Sequence, residues 1–230
     1  MSISTKRVEL VVENAGGVRR TAWPITQGIP FEDGELESGA TVCVVDAEGR
    51  PFPTQSTCLA TWSRDMKYVK WLLVDFQADL RADETASFFL EYGEGAETPA
   101  PTQPVAVTRE EGRIRIDTGV LRLDLRTSPG GYSSVPAVHM ARDFLERCWV
   151  ATEEGWRDVF RGDPGPHLYL VDTHGQRYDS CTAAPPPRIT VEDAGPVRVS
   201  VCVKGFHASR NGTLICPFTV RIHAFSGRPD

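Results

Sequence analysis

Five histidines, six cysteines and five tryptophans are the side chains of this 230-residue chain best suited to hold a metal, move a proton or grip a ring-shaped ligand. The histidines are His139, His167, His174, His207 and His223. None stands in the H-x-x-x-H spacing that puts two imidazoles on one helix face around a metal. His174 follows Asp172-Thr173 in a turn, and His223 lies on the outward side of an alternating segment. His167 and Tyr169 share one face of an extended segment, an arrangement that suits packing better than proton transfer. The cysteines (Cys43, Cys58, Cys148, Cys181, Cys202 and Cys216) contain no C-x-x-C, so zinc-ribbon and thioredoxin-like readings fail. They fall in apolar or alternating runs and read as reduced thiols packed like small hydrophobes, with disulfides, which would imply export, as the alternative.

Carboxylates are scattered. Asp65 and Asp163 belong to turns, and no spacing nominates a pair for glycoside hydrolysis. No G-x-S-x-G and no P-loop occurs, and the glycine-rich stretch at 14–17 precedes a strand rather than a helix N-terminus. The sequence thus nominates no catalytic residue, no metal ligand and no cofactor. Tryptophan offers different chemistry, because the C–H face of a sugar ring can stack on an exposed indole. Trp71 lies in the most apolar segment and is expected in the core. Trp62 stands beside Arg64, Asp65 and Lys67, while Trp149 and Trp156 flank the charged turn Thr152-Glu153-Glu154-Gly155. Trp62, Arg64, Trp149 and Trp156 are therefore the candidate carbohydrate contacts. Asn211-Gly212-Thr213 fits a glycosylation sequon but reads first as a hairpin turn.

The elements that must position these residues are strands. Residues 8–13 alternate, meet the turn cluster Asn14-Ala15-Gly16-Gly17 and are expected to pair with residues 18–22 as a hairpin. Gly28, between Pro24 and Pro30, predicts a bulge or a close backbone approach. Residues 41–45, 68–76 and 85–92 follow as strands, the second apolar enough for burial on both faces or a barrel wall. Residues 93–104 carry three prolines and two glycines and read as a linker. Beyond it, residues 121–125 alternate, with leucines inward and Arg122 and Asp124 outward. Residues 136–150 are where a helical period is plausible, a short helix and an irregular loop being the two alternatives. Residues 197–204 and 218–225 alternate strictly and are joined by the turn Arg210-Asn211-Gly212-Thr213. The final turn at 226–230 has no strand behind it, which reads as a second domain cut short.

Net charge is -6, from 25 basic and 31 acidic residues. A chain lacking a basic face does not displace counterions from phosphates, so no nucleic-acid partner is expected. No apolar run reaches the roughly eighteen residues of a membrane helix, and no membrane partner is expected. The first residues lack an apolar signal region, which points to the cytoplasm, with a secreted form as the alternative.

Three segments carry a resemblance. They are Trp23-Pro24-Ile25-Thr26-Gln27-Gly28-Ile29-Pro30-Phe31, then residues 46–55 with Asp46-Ala47-Glu48-Gly49, then residues 62–76. In this order and spacing they resemble the N-terminal domain of PcRGLX/YetA-like proteins, a family that includes exo-rhamnogalacturonan lyases. The turn Ser63-Arg64-Asp65-Met66-Lys67 departs from the family's shorter one. Residues 113–125, with Asp117-Thr118-Gly119, look like the opening of the family's central sandwich. The resemblance implies an all-β fold: a small RIFT-related β-barrel at 1–95, a linker at 96–104 and an antiparallel β-sandwich at 105–230, incomplete at its end. It also implies an acidic plant-type polysaccharide or oligosaccharide as partner, and a C-terminal helical domain missing from this chain. The implied reaction of a whole lyase is β-elimination, in which a base removes the proton beside a sugar carboxylate and positive charge holds the enolate. This chain would be the non-catalytic front portion. The alternative is a stand-alone carbohydrate-binding or structural module.

Overall fold

The computed structural model describes residues 5–93, 95–127, 144–160, 168–180 and 187–229. The chain is all-β, built of antiparallel sheets with a curled half-barrel among them, and no α-helix occurs among the described residues. It divides into two compact units, Met1–Pro101 and Thr102–Asp230.

Two sheets wrap the core of the first unit. One runs β1 (Lys6–Asn14), β7 (Glu84–Tyr92), β3 (Val42–Val45), β4 (Pro51–Phe52). The other runs β2 (Arg20–Pro30), β6 (Val69–Leu80), β5 (Gln55–Thr61). Leu10, Val44, Val74, Phe76, Phe88 and Leu90 fill the space between them. Phe76 and Phe88 meet edge to face at 5.2 Å, the arrangement that opposed ring quadrupoles favour. Each such fully buried side chain contributes about 1.5–3 kcal/mol.

The expected hairpin of residues 8–13 with 18–22 is not formed. β1 pairs with β7 along its whole length, Leu10 opposite Phe88, and β2 pairs with β6 in the other sheet. The buried amide of Asn14 explains the divergence, since it donates to the carbonyls of Val18 (2.8 Å) and Arg81 (2.6 Å). The turn is closed, but it is tied to the β6–β7 connection. A bulge between Arg20 and Trp23, with Ala22 at φ 44°, then swings β2 to its own sheet.

A second bulge overturns the expectation for Trp71. The β5–β6 register shifts between Cys58 and Thr61, so both Val69 and Leu72 point inward and Lys70 and Trp71 point out. Trp71 is 42% exposed. Its indole lies over Gly28, with ring carbons 3.8 Å from where a β-carbon would stand. The close approach predicted at Gly28 is therefore to Trp71, and the bulge of β2 lies elsewhere.

The Pro/Gly-rich stretch is attached at both ends. Ala96 is buried, and the Thr98 hydroxyl accepts the Thr54 N–H at 2.8 Å. Val105 N–H donates to Pro196 O at 2.9 Å within the second unit.

The second unit is a sandwich of two five-stranded sheets. The first runs β12 (Gly155–Asp158), β11 (Leu145–Thr152), β10 (Leu121–Arg126), β9 (Arg113–Asp117), β8 (Ala106–Glu110). The second runs β13 (Tyr169–Val171), β14 (Arg177–Asp179), β16 (Arg198–Ala208), β15 (Arg188–Ala194), with β17 (Leu214–Phe225) also on β16. Ile116, Leu123 and Leu125 face Val199, Val201 and Ala224 across one core. The β16–β17 hairpin closes as expected, with Ser209 N–H donating to Thr213 O at 3.0 Å and Gly212 at φ 85°. Of the stretch 136–150, residues 145–150 are strand, and 136–143 lie outside the described residues.

In the first unit Tyr92 Oη donates to Glu35 Oε1 at 2.6 Å, and burial, with that bond, pushes the phenol up to about 12. The same bond holds the Glu35 carboxyl below its ordinary value. A raised folded-state value means that the Tyr92 contribution is complete below the unfolded phenol value of about 10 and is lost as the pH climbs toward 12. The Glu35 contribution runs the other way: it is present above about 4.3 and is lost as the pH falls through its lower folded value. Thermal melts of the wild type and Tyr92→Phe should therefore differ at neutral pH and converge between pH 10 and about 12. A gap unchanged across that range would show that the bond adds no stability.

Candidate functional site

Alternation along β9, β10 and β11 puts their aliphatic residues in the core and their charged residues on the outer face. Arg122 stands opposite Asp117 on β9 and Trp149 on β11, and Asp124 stands opposite Arg115 and Arg147. On β12, Asp158 pairs with Trp149 and Trp156 with Ala151, so both tryptophans share this face. A bulge between Asp124 and Leu125 adds Glu146 to the same side.

The charges are satisfied locally. Arg115 grips Asp124 with two nitrogens, Nε to Oδ1 at 2.8 Å and Nη2 to Oδ2 at 2.9 Å. Arg113 stands 3.5 Å from the same carboxylate, which is 1% exposed. Arg122 Nε donates to Asp117 at 2.6 Å, Arg147 to Asp158 at 2.9 Å, and Arg126 to Glu146 at 3.0 Å. The hydrogen bonds to Asp124 raise the Arg115 guanidinium further above its already high value, so it stays charged at every pH of interest. Glu110 stands 4.0 Å from Arg113, so the five arginines meet five carboxylates (Glu110, Asp117, Asp124, Glu146 and Asp158) and the lattice is electrically balanced.

The tryptophans are set into this lattice. The Arg122 guanidinium lies 3.8 Å from the Trp156 ring centroid, and that of Arg115 lies 5.9 Å from Trp149. Such cation–π contacts contribute about 0.5–1 kcal/mol when exposed and hold the rings at fixed tilt. Trp156 is 38% exposed and Trp149 half-buried. Chemically the face offers apolar ring surface beside N–H donors at fixed positions. It can stack a pyranose ring and hydrogen-bond its hydroxyls.

The other two sequence candidates belong to the first unit. Trp62 is 43% exposed; its indole N–H donates to Phe31 O at 3.0 Å, and Lys70 Nζ stands 4.5 Å from the ring centroid. Arg64 is exposed in the turn closed by Met66 N–H to Ser63 O at 3.1 Å, and Asp65 in the same turn accepts the Ser63 hydroxyl. No ion pair involves Arg64 among the described residues. The structure thus unites Trp149 with Trp156 but does not build Trp62 and Arg64 into one contact. The sequence reading missed Arg113, Arg115 and Arg147 as partners, although Arg113-Ile114-Arg115-Ile116-Asp117 alternates and already sends three charged residues to one side.

His139 and His167 lie outside the described residues. His207 is buried, with Nδ1 3.0 Å from Cys216 O and its ring edge-on to Phe218. His174 sits in its expected turn and His223 is exposed on β17. No group of three or more metal-ligating side chains gathers among the described residues. Cys43, Cys148 and Cys202 are free and buried, Cys58 and Cys216 free and exposed, and Cys181 lies outside the described residues. No helix of the described residues is long and apolar enough to cross a membrane.

No protein-family model matches the chain. It is similar to the uncharacterized protein YetA of Bacillus subtilis (strain 168), with 22% identity over 204 residues that make up 88% of this chain. The chain spans 22% of that relative's length. Among solved structures it is similar to an α-mannosidase from Enterococcus faecalis V583, with TM-score 0.42 and 13% identity over 96% of this chain and 29% of that one. It is also similar to a glycosyl hydrolase family 38 protein from Enterococcus faecalis, with TM-score 0.44 and 11% identity over 96% of this chain and 30% of that one.

Asp124→Asn should lower the stability of the chain by about 1–3 kcal/mol in urea denaturation, because Arg115 and Arg113 lose a buried anionic acceptor. Asp117→Asn, at a more exposed pair, should cost about 0–1 kcal/mol. Equal losses would show that Asp124 does not anchor the face.

Proposed function

We propose that the chain is the carbohydrate-contacting, non-catalytic front portion of a longer glycan-active protein. The observation that carries this reading is the outer face of β9 to β12, where Trp149 and Trp156 share one side of a sheet with guanidinium groups beside their rings. A sugar ring would stack on Trp156 from the side left open by Arg122, and arginine N–H groups would meet its hydroxyls. Because the carboxylates of this face are engaged by arginines, their role here is to fix donors rather than to take a proton. The balanced charge suits neutral sugar units.

The finer reading is a polysaccharide lyase of the rhamnogalacturonan type, which cleaves by β-elimination. The order of the three N-terminal segments, which resembles that of PcRGLX/YetA-like proteins, supports it. On that reading the base and the enolate-stabilising charge belong to other parts of the protein, and this portion binds and braces. A second reading is a stand-alone binding module. It is favoured by the fact that both tryptophans and their supporting arginines come from a single sheet, which needs no further element to complete it.

Calorimetric titration of the 230-residue chain with neutral and acidic oligosaccharides tests both readings. Binding should weaken about tenfold in Trp156→Ala and in Trp149→Ala, which corresponds to about 1.4 kcal/mol. The chain alone should release no unsaturated sugar from rhamnogalacturonan, read as new ultraviolet absorbance. Release would overturn the non-catalytic reading; binding that ignores both tryptophans would overturn the site.

A further inference from the structure

The other outer face of the sandwich carries a cleft of about 240 Å³ lined by Arg188, Thr190, Glu192, Cys202 and Lys204. Its construction follows from the register. Arg188 on β15 stands directly opposite Lys204 on β16, and Thr190 directly opposite Cys202. Alternation sends Glu192 outward with Arg188 and Thr190, and the bulge between Val191 and Asp193 leaves it without a direct partner on β16. Across β16, Cys202 faces Arg221 of β17, and Arg221 reaches over to Glu192 with Nε to Oε2 at 2.9 Å. This ion pair roofs Cys202, which is 3% exposed although it sits on an outward position. The hydrogen bonds from Arg221 hold the Glu192 carboxyl below its ordinary value, so that end of the cleft is a closed, neutral pair.

The opposite end is not neutral. Like charges directly across a strand pair repel and destabilise the sheet. Arg188 and Lys204 are such a pair, and neither forms an ion pair among the described residues. Arg177, Arg198 and Arg221 of the same sheet all have carboxylates. The cleft therefore has two cations on directly opposed residues at one end, a hydroxyl at Thr190 and a neutralised carboxylate at the far end.

We propose that this cleft binds a carboxylate carried on a small hydroxylated molecule, held between Arg188 and Lys204. The guanidinium of Arg188 can bind a carboxylate through two parallel N–H groups, and Lys204 supplies a point charge beside it. Thr190 and Glu192 then face the hydroxyls of the same ligand, Thr190 as donor or acceptor and Glu192 as acceptor. Selection of a hydroxylated carboxylate over inorganic phosphate rests on the hydroxyl contacts to Thr190 and Glu192, since the Glu192–Arg221 pair is electrically closed. The site is independent of the tryptophan face, since it stands on the other sheet of the sandwich.

The test is a titration of the isotopically labelled 230-residue chain at constant ionic strength, followed by amide NMR. The probes are sodium galacturonate, sodium acetate, galactose and inorganic phosphate. Galacturonate should give saturable shifts at residues 188–192 and 202–204, at least tenfold tighter than galactose, acetate or phosphate. Arg188→Gln and Lys204→Gln should each weaken it at least tenfold, with the denaturation midpoint unchanged or raised because a repulsion is gone. Trp156→Ala should leave it unchanged. Galacturonate shifts that are absent from these residues, or unaltered in both charge variants, overturn the proposal. Tighter binding of phosphate overturns the assignment to a carboxylate, and equal binding of acetate overturns the role given to the hydroxyls. Loss of the galacturonate shifts in Trp156→Ala would show that only the tryptophan face binds.

Discussion

Asp124 is the carboxylate on which the arginine–tryptophan face depends. It stands on an outward position of β10 yet is 1% exposed, because Arg115 and Arg113 close over it. Bringing a carboxylate that far out of water is costly, and its attraction to a guanidinium largely offsets that cost without a large surplus. What the arrangement supplies is position. Arg115 is held by two hydrogen bonds in one plane, so its guanidinium cannot swing, and Trp149 rests near a fixed cation. Arg122 does the same for Trp156 from its bond to Asp117, whose other oxygen accepts the Gly119 N–H at 2.8 Å. The rings are presented by a lattice of oriented charges in place of a hydrophobic socket.

The two outer faces of the sandwich differ in a way that net charge does not reveal. On the β9–β12 side each arginine is matched, and the face is neutral at close range. On the β15–β17 side Glu192 and Arg221 match, which leaves Arg188 and Lys204 as a concentrated pair of cations. The chain as a whole is acidic, at -6, so any attraction it has for a carboxylate must come from a short-range arrangement of this kind. A ligand with neutral rings and one with a carboxylate would thus meet different sheets of one unit.

The strict alternation of residues 197–204 and the leucines at 121, 123 and 125 fixed which side chains enter the second core, because period two admits one reading once a face is apolar. The turn at residues 210–213 was legible from Asn211-Gly212 for the same local reason. The charged turn between Trp149 and Trp156 marked both as candidates, but whether their rings pack or face solvent was not legible without the register of β11 and β12. The partner of β1 was not legible either. It lies at residues 84–92, and no local pattern distinguishes that long-range pairing from a hairpin with residues 18–22. Nor was the exposure of Trp71, which depends on a register shift that reverses the in–out parity of β6 between Val69 and Leu72. Arg188 and Lys204 are sixteen positions apart, and only the register sets them face to face.

Parity also explains why the first unit contributes aromatic surface without a comparable site. The shift that turns Trp71 outward turns Lys70 outward beside it, and Lys70 then stands over Trp62. Trp62 is tied by its indole N–H to Phe31 O, and Trp71 is seated on Gly28, so each ring is fixed by a different part of the unit. Replacing Gly28 would add a side chain under Trp71 at ordinary contact distance, which is tolerable sterically but ends the seating of the ring on bare backbone. These rings therefore serve first to cover exposed backbone of β2 and β6, as aromatic side chains do over a strand glycine. In the second unit the ring positions are set by charges that also present donors to solvent. That difference, packing on one side and oriented donors on the other, is the physical reason to look for a saccharide on the Trp149–Trp156 face before the Trp62 turn.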